Sequence, residues 1–148
     1  MIDEYAVDTG VLVEYIVRNS PLRRKVSSLL NDAGRGRVKL YVPVTTLSEL
    51  LYVSSRIYTM AGIRDANTAA LVFIDWLRTR VELVGVDEDI ALRAGELKKM
   101  YRLALPDCIV LAVAEKYGAK PLFRKVEKEM APYERELRDR GVVFLAEQ

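Results

Sequence analysis

Short apolar runs alternate with amphipathic helical stretches along this chain, and that alternation restricts the fold more than any other property of the sequence. Residues 5–7 form an apolar run ending at Asp8, after which Val11, Leu12, Tyr15 and Ile16 recur at helical spacing. Pro21 opens a second helix with Leu22, Val26, Leu29 and Leu30 on one face, ended by Gly34 and Gly36 before a strand at 38–44. The pattern predicts a helix at 45–57 with Leu47, Leu50, Leu51, Ser54 and Ile57 inward. After Gly62 it predicts another at 65–80 with Leu71, Phe73, Ile74 and Leu77 apolar, then a strand at 81–86. Asp87 caps a helix running from about 88 to 102, a further helix runs from Pro106 to Tyr117, and Gly118 breaks it before a short strand at 121–123. A helix rich in acids and bases up to Arg140 and a strand at 142–145 complete the series. Such alternation implies the α/β class, with a central, mainly parallel sheet of about five strands flanked by helices. The length points to a single domain over residues 1–148, and 51% hydrophobic residues suffice for a core that buries roughly 70% of the unfolded surface.

The chain contains no histidine. Serine or cysteine triads of the usual kind, histidine general bases and histidine-ligated zinc are thereby excluded, and catalysis falls to carboxylates, lysine, hydroxyls or a metal. No apolar run approaches the roughly 18 residues that span a bilayer, and Asp3 and Glu4 stand where a secretory signal would be basic, so a cytoplasmic location away from the membrane is expected. Cys108, the sole cysteine, reads as a small core residue. A net charge of +2 neither demands nor excludes nucleic acid. Its distribution is more informative: Arg23, Arg24, Lys25, Arg35, Arg37 and Lys39 face a single acid, Asp32, between residues 21 and 40. That stretch suits either RNA phosphates, with Arg35 and Arg37 in contact, or a plain solvated surface.

Three acids stand where helices should begin: Asp8 in Val7-Asp8-Thr9-Gly10, Glu49 in Thr46-Leu47-Ser48-Glu49, and Asp107 in Leu105-Pro106-Asp107-Cys108. Each has a structural explanation of its own. Asp8 or Thr9 suits a helix N-cap, Thr46 to Glu49 matches a capping box, and Asp107 suits the positive end of a helix dipole. Helices that follow parallel strands, however, start at one edge of the sheet, so the three carboxylates can also meet there and bind a hard divalent cation. The loop Asp8-Thr9-Gly10 is not that of an aspartic protease, because a helix follows at once, nor of a haloacid-dehalogenase-type phosphatase, because Gly10 stands where the second acid would be.

The three motifs, in this order, resemble those of the PIN-domain ribonucleases, in particular the small single-domain toxins of VapBC toxin–antitoxin pairs. Residues 7–12 resemble the family's opening motif, residues 45–51 its second, and residues 103–114 its third, so the likeness covers nearly the whole chain. The resemblance implies a PIN-like three-layer fold and endonucleolytic cleavage of RNA. It also implies Mg²⁺ or Mn²⁺ held by Asp8, Glu49 and Asp107, with Thr9 orienting Asp8, contacting phosphate or capping the first helix. A small antitoxin as partner and a homodimer follow on the same ground. The sequence departs from the family in one place: Phe123 and Lys125 stand where the family has a threonine and a fourth acid, leaving Glu127 and Glu129 as possible substitutes. Lys125 near the acids keeps a second reading open, that of a PIN fold that binds RNA or protein without cutting.

Overall fold

The computed structural model describes residues 1–148. Five strands, β1 (Asp3–Val7), β2 (Val38–Pro43), β3 (Glu82–Val84), β4 (Lys120–Phe123) and β5 (Val143–Phe144), make one sheet in the order β3-β2-β1-β4-β5. Every pairing is parallel. Seven helices accompany them: α1 (Thr9–Val13), α2 (Arg23–Gly34), α3 (Thr46–Met60), α4 (Ala66–Leu77), α5 (Glu88–Met100), α6 (Leu105–Tyr117) and α7 (Glu134–Asp139). No helix is long and apolar enough to cross a membrane.

Because successive strand residues point to opposite faces, a strand covered on both sides must be apolar throughout. Val7, Leu40, Val42 and Leu122 enter one core with Leu12 of α1, Leu30 of α2, Leu50 of α3 and Leu77 of α4. Their alternates Ala6, Tyr41 and Phe123 enter the other, with Leu97 of α5, Leu111 of α6 and Leu137 of α7. The sheet is thus the middle of three layers. Helix α6 is the most deeply set, with Cys108 and residues 110–114 all buried. Gly118, at φ +66°, provides the left-handed residue that turns the chain out of α6 and into β4.

Most predicted boundaries shift by one to three residues, and the larger differences have local causes. At the sheet edge, β3 pairs only with β2, over three positions, and so is shorter than 81–86. The charged helix expected up to Arg140 is reduced to α7 and a preceding 3-10 turn at Ala131–Tyr133, because Pro132 cannot donate to a helical ladder. Of the apolar residues of that helix, Leu71 is exposed, since Ala70, Phe73, Ile74 and Leu77 already form the buried stripe of α4. Trp76 is half-buried, stacked on Tyr15 with Arg80 over its ring. On the surface, Arg138 pairs with both Glu134 and Glu147, and Arg93 and Arg140 share Glu115. Such linked pairs contribute more than isolated ones, chiefly at high temperature.

Leu12 is fully buried in the core that joins α1 to the sheet. Leu12→Ala is expected to lower the unfolding free energy by about 2–5 kcal/mol, read from urea denaturation, whereas Leu92→Ala on the exposed face of α5 should change it by less than about 0.5 kcal/mol.

Candidate active site

Connections leave β1 toward β2 on one side, while β4 lies on its other side, so a crevice opens beyond the carboxyl ends of β1 and β4. Asp8 stands at its floor, directly after β1. Its backbone N–H donates to the carbonyl of Leu122 in β4 at 3.1 Å. With φ −79° and ψ 153°, Asp8 continues the strand's alternation, so its side chain leaves on the side of Ala6, the face covered by α6. The same carboxylate caps α1: Oδ2 accepts the Gly10 N–H at 3.1 Å. A Cβ on Gly10 would come within 3.1 Å of that oxygen, tight enough to push the carboxylate aside.

Glu49 reaches the crevice from the first turn of α3 and Asp107 from the first turn of α6. The capping box suggested by Thr46 to Glu49 does not form, since α3 has no side-chain cap. Instead, Glu49 Oε1 accepts the hydroxyl of Thr9 at 3.2 Å. Buried Thr9 therefore fixes Glu49 rather than Asp8, which sequence reasoning did not foresee, and the helix cap belongs to Asp8. Asp107 follows Pro106 without capping anything.

Burial pushes Asp8 up to about 6; the Gly10 N–H opposes this, and the charges of Glu49 and Glu127 add to it. Burial pushes Asp107 up to about 7, with Asp8, Glu49, Glu129 and Glu127 all raising it further. The three predicted acids thus share one field of negative charge, and both possible substitutes for the fourth acid contribute to it. Lys125 does not join them: it is exposed and forms no ion pair. Its neighbour Arg124 does, donating from Nη1 to Glu14 and from Nη2 to Glu127, each at 3.0 Å. Glu14 is only 7% exposed and also accepts the Ser20 hydroxyl. Sequence reasoning passed over Glu14, Ser20 and Arg124. The available signal was an acid three residues after Val11, opening the 3-10 turn Glu14–Ile16 that continues α1.

Arg35 and Arg37 are not brought to the acids. They lie in the turn before β2, at the amino edge of the sheet, and Arg37 pairs with Asp32 at 3.7 Å. At about 3.3 Å per residue, the six residues of β2 set them roughly 20 Å from the carboxyl edge.

The donors in the crevice are carboxylate oxygens alone, the chemistry that suits Mg²⁺ or Mn²⁺. No three of them converge closely enough to hold an ion unaided. A cation that keeps several of its waters, as Mg²⁺ does, fits such a set.

Residues 5–129 match the PIN domain family. The chain belongs to this family. Its three acids, Arg124, Glu127 and Glu129 all lie within the matched span. A search of curated protein sequences finds no match. Among solved structures, this PIN domain is similar to a toxin–antitoxin complex from Klebsiella pneumoniae, with a TM-score of 0.65 and 21% identity over 95% of this chain and 97% of that one. VapBC2 from Rickettsia felis, bound to a DNA fragment from its promoter, has a TM-score of 0.65 and 14% identity over 89% and 92% of the two chains. VapC20 from Mycobacterium tuberculosis, a toxin that cleaves the sarcin–ricin loop, has a TM-score of 0.62 and 18% identity over 78% and 85%. At these identities the likeness establishes the fold.

The raised acids fix a pH dependence for the metal-free PIN domain. A carboxyl whose folded-state pKa exceeds its unfolded value of about 4 contributes stability that is complete below pH 4 and lost as pH rises through the folded pKa. Melting temperature, measured in chelator, should therefore fall between about pH 4 and pH 7. Asp107→Asn should melt several degrees above the parent at pH 8 and lose that advantage at pH 4.

Proposed function

We propose that this PIN domain is a metal-dependent endoribonuclease that hydrolyses RNA phosphodiester bonds and acts as the toxin of a toxin–antitoxin pair. One observation carries this reading: Asp8, Glu49 and Asp107, from three separate elements, share a crevice in which Thr9 ties Glu49 beside Asp8 and in which burial and mutual repulsion push Asp8 up to about 6 and Asp107 to about 7. Uncompensated, such a grouping costs stability; a divalent cation relieves it. Asp8, Glu49 and Asp107 would hold Mg²⁺ or Mn²⁺, directly or through water. When bound, that ion supplies an acidified water and a counter-charge for the phosphate oxygens.

The protein's own side chains supply orientation. The Gly10 N–H keeps Asp8 from rotating away, and the Thr9 hydroxyl, next in the chain, holds Glu49 of α3 beside it. Asp107 is carried by α6, in which Cys108 and residues 110–114 are buried. Fixed carboxylates hold a bound ion and its waters in place, so little reorganisation remains at the moment of reaction.

The toxin role draws support from the solved relatives, which include VapBC complexes. An open groove of about 500 Å³ beside α4, lined only by apolar residues such as Tyr15, Ile16, Tyr58, Ile63, Val72 and Trp76, supports a protein partner, read here as the antitoxin. A homodimer and a cytoplasmic location follow from the same analogy. The second reading, RNA or protein binding without cleavage, is favoured by the lack of a ready-made three-carboxylate chelate.

Cleavage of a labelled RNA separates the two. The nuclease reading expects cutting in Mg²⁺ or Mn²⁺ that falls to background in excess chelator and in Asp8→Asn, with RNA binding retained. Cutting that survives chelation would remove the metal mechanism, and binding without cutting in either metal would establish the second reading.

A further inference from the structure

Arg124 follows β4 directly, and because β4 pairs with β1 in the register Val7↔Leu122, it sits beside the floor of the crevice. A Cβ on Gly10 would lie 3.8 Å from Arg124 Cβ and 3.1 Å from Asp8 Oδ2, so both residues border the same glycine. The guanidinium spans two carboxylates 113 positions apart in the sequence, Glu14 and Glu127, at 3.0 Å each. The Glu14 side chain is 9% exposed, and the Ser20 hydroxyl donates to its other oxygen, Oε2. That end of the fork is therefore fixed. Glu127, at the other end, belongs to a segment with neither helix nor strand, and nothing but Arg124 ties down its carboxylate.

We propose that Arg124, anchored by buried Glu14, is a positioning residue that holds Glu127 as the fourth carboxylate of the crevice, in place of the acid that Lys125 supplants. The proposal rests on the nuclease reading. Only Oε1 of Glu127 is engaged by Arg124, which leaves Oε2 for a ligand. Glu127 is also the acid of this segment whose charge raises Asp8 as well as Asp107, although Glu129 acts on Asp107 more strongly. Lys125, two residues before Glu127, is exposed. A planar fork grips two carboxylates in fixed directions, which a lysine ammonium does not.

Calorimetric Mn²⁺ titration of the full chain tests this, with thermal unfolding in chelator reporting whether each variant is folded. Glu127→Gln and Arg124→Gln should each weaken Mn²⁺ binding roughly tenfold, as loss of a ligand or of its supporting partner typically does. The double variant should bind no more weakly than Glu127→Gln. Arg124→Lys should recover less than half of the loss although it keeps the charge, and Glu14→Gln, nearly isosteric, should reproduce part of it if Arg124→Gln fails to fold. Removing a positive charge without any positioning role would instead tighten Mn²⁺ binding. Unchanged or tighter binding in Arg124→Gln, or full affinity in Glu127→Gln, overturns the proposal, as does a loss in Glu129→Gln that Glu127→Gln lacks. Asp8→Asn separates the levels: weakened binding there with none in Glu127→Gln removes the positioning role alone, whereas parent-like affinity in Asp8→Asn removes the metal site itself.

Discussion

All five strands run the same way, and this single constraint decides where chemistry can occur. Every strand delivers the following segment to one edge, every return helix carries the chain back, and both faces of the sheet are consumed by packing. Polar side chains that need neither core nor open solvent are left with the crevice where the strand order reverses. Asp8, Glu49, Asp107 and Arg124 gather there because each lies just beyond a strand or in the first turn of a helix, and Arg124 draws Glu127 to its side. Sequence separations of 40 to more than 100 residues are thereby reduced to hydrogen-bond and charge-pair distances.

Packing explains why these polar groups stay where they are. The opposite faces of β1, carried by Ala6 and Val7, are both fully buried, so Asp8 cannot shift register without moving two cores. Thr9, next in line, is buried too, and its hydroxyl has a carboxylate as partner rather than a neighbouring carbonyl. The crevice thus combines rigid mounting with unfavourable charge crowding, a combination that places local electrostatic cost where a ligand can relieve it.

The architecture and the three acids were legible in the sequence because both depend on local pattern. Apolar runs of three to six residues, helical spacing, and acids at helix starts need no knowledge of distant partners. What escaped was set by tertiary contact. Thr9 looked like a partner of Asp8 or a cap, and only the approach of α3 shows it serving Glu49. Lys125 held attention because it stood in a motif position, while the cation that touches the acids is the residue before it, aimed by the end of β4. Arg35 and Arg37 drew attention through charge density, which carries no information about the edge of the sheet on which a turn lies. Glu14 was hidden by the helix it belongs to, since an acid on an inward face reads as a break in pattern until its arginine is found.

The lack of histidine, first of use as an exclusion, has a practical counterpart. With no imidazole in the chain, the two acids that burial pushes up, Asp8 to about 6 and Asp107 to about 7, are the side chains drawn into the range where histidine would otherwise titrate. A cation or a basic peptide entering the crevice would set protons free from those few oxygens, whereas an RNA phosphate would draw protons in. Heats of binding measured in buffers of different ionisation enthalpy would count such protons with almost no background. Most proteins of this size obscure that signal with surface imidazoles; here the charge state of the crevice can be followed in an unlabelled, unmutated chain.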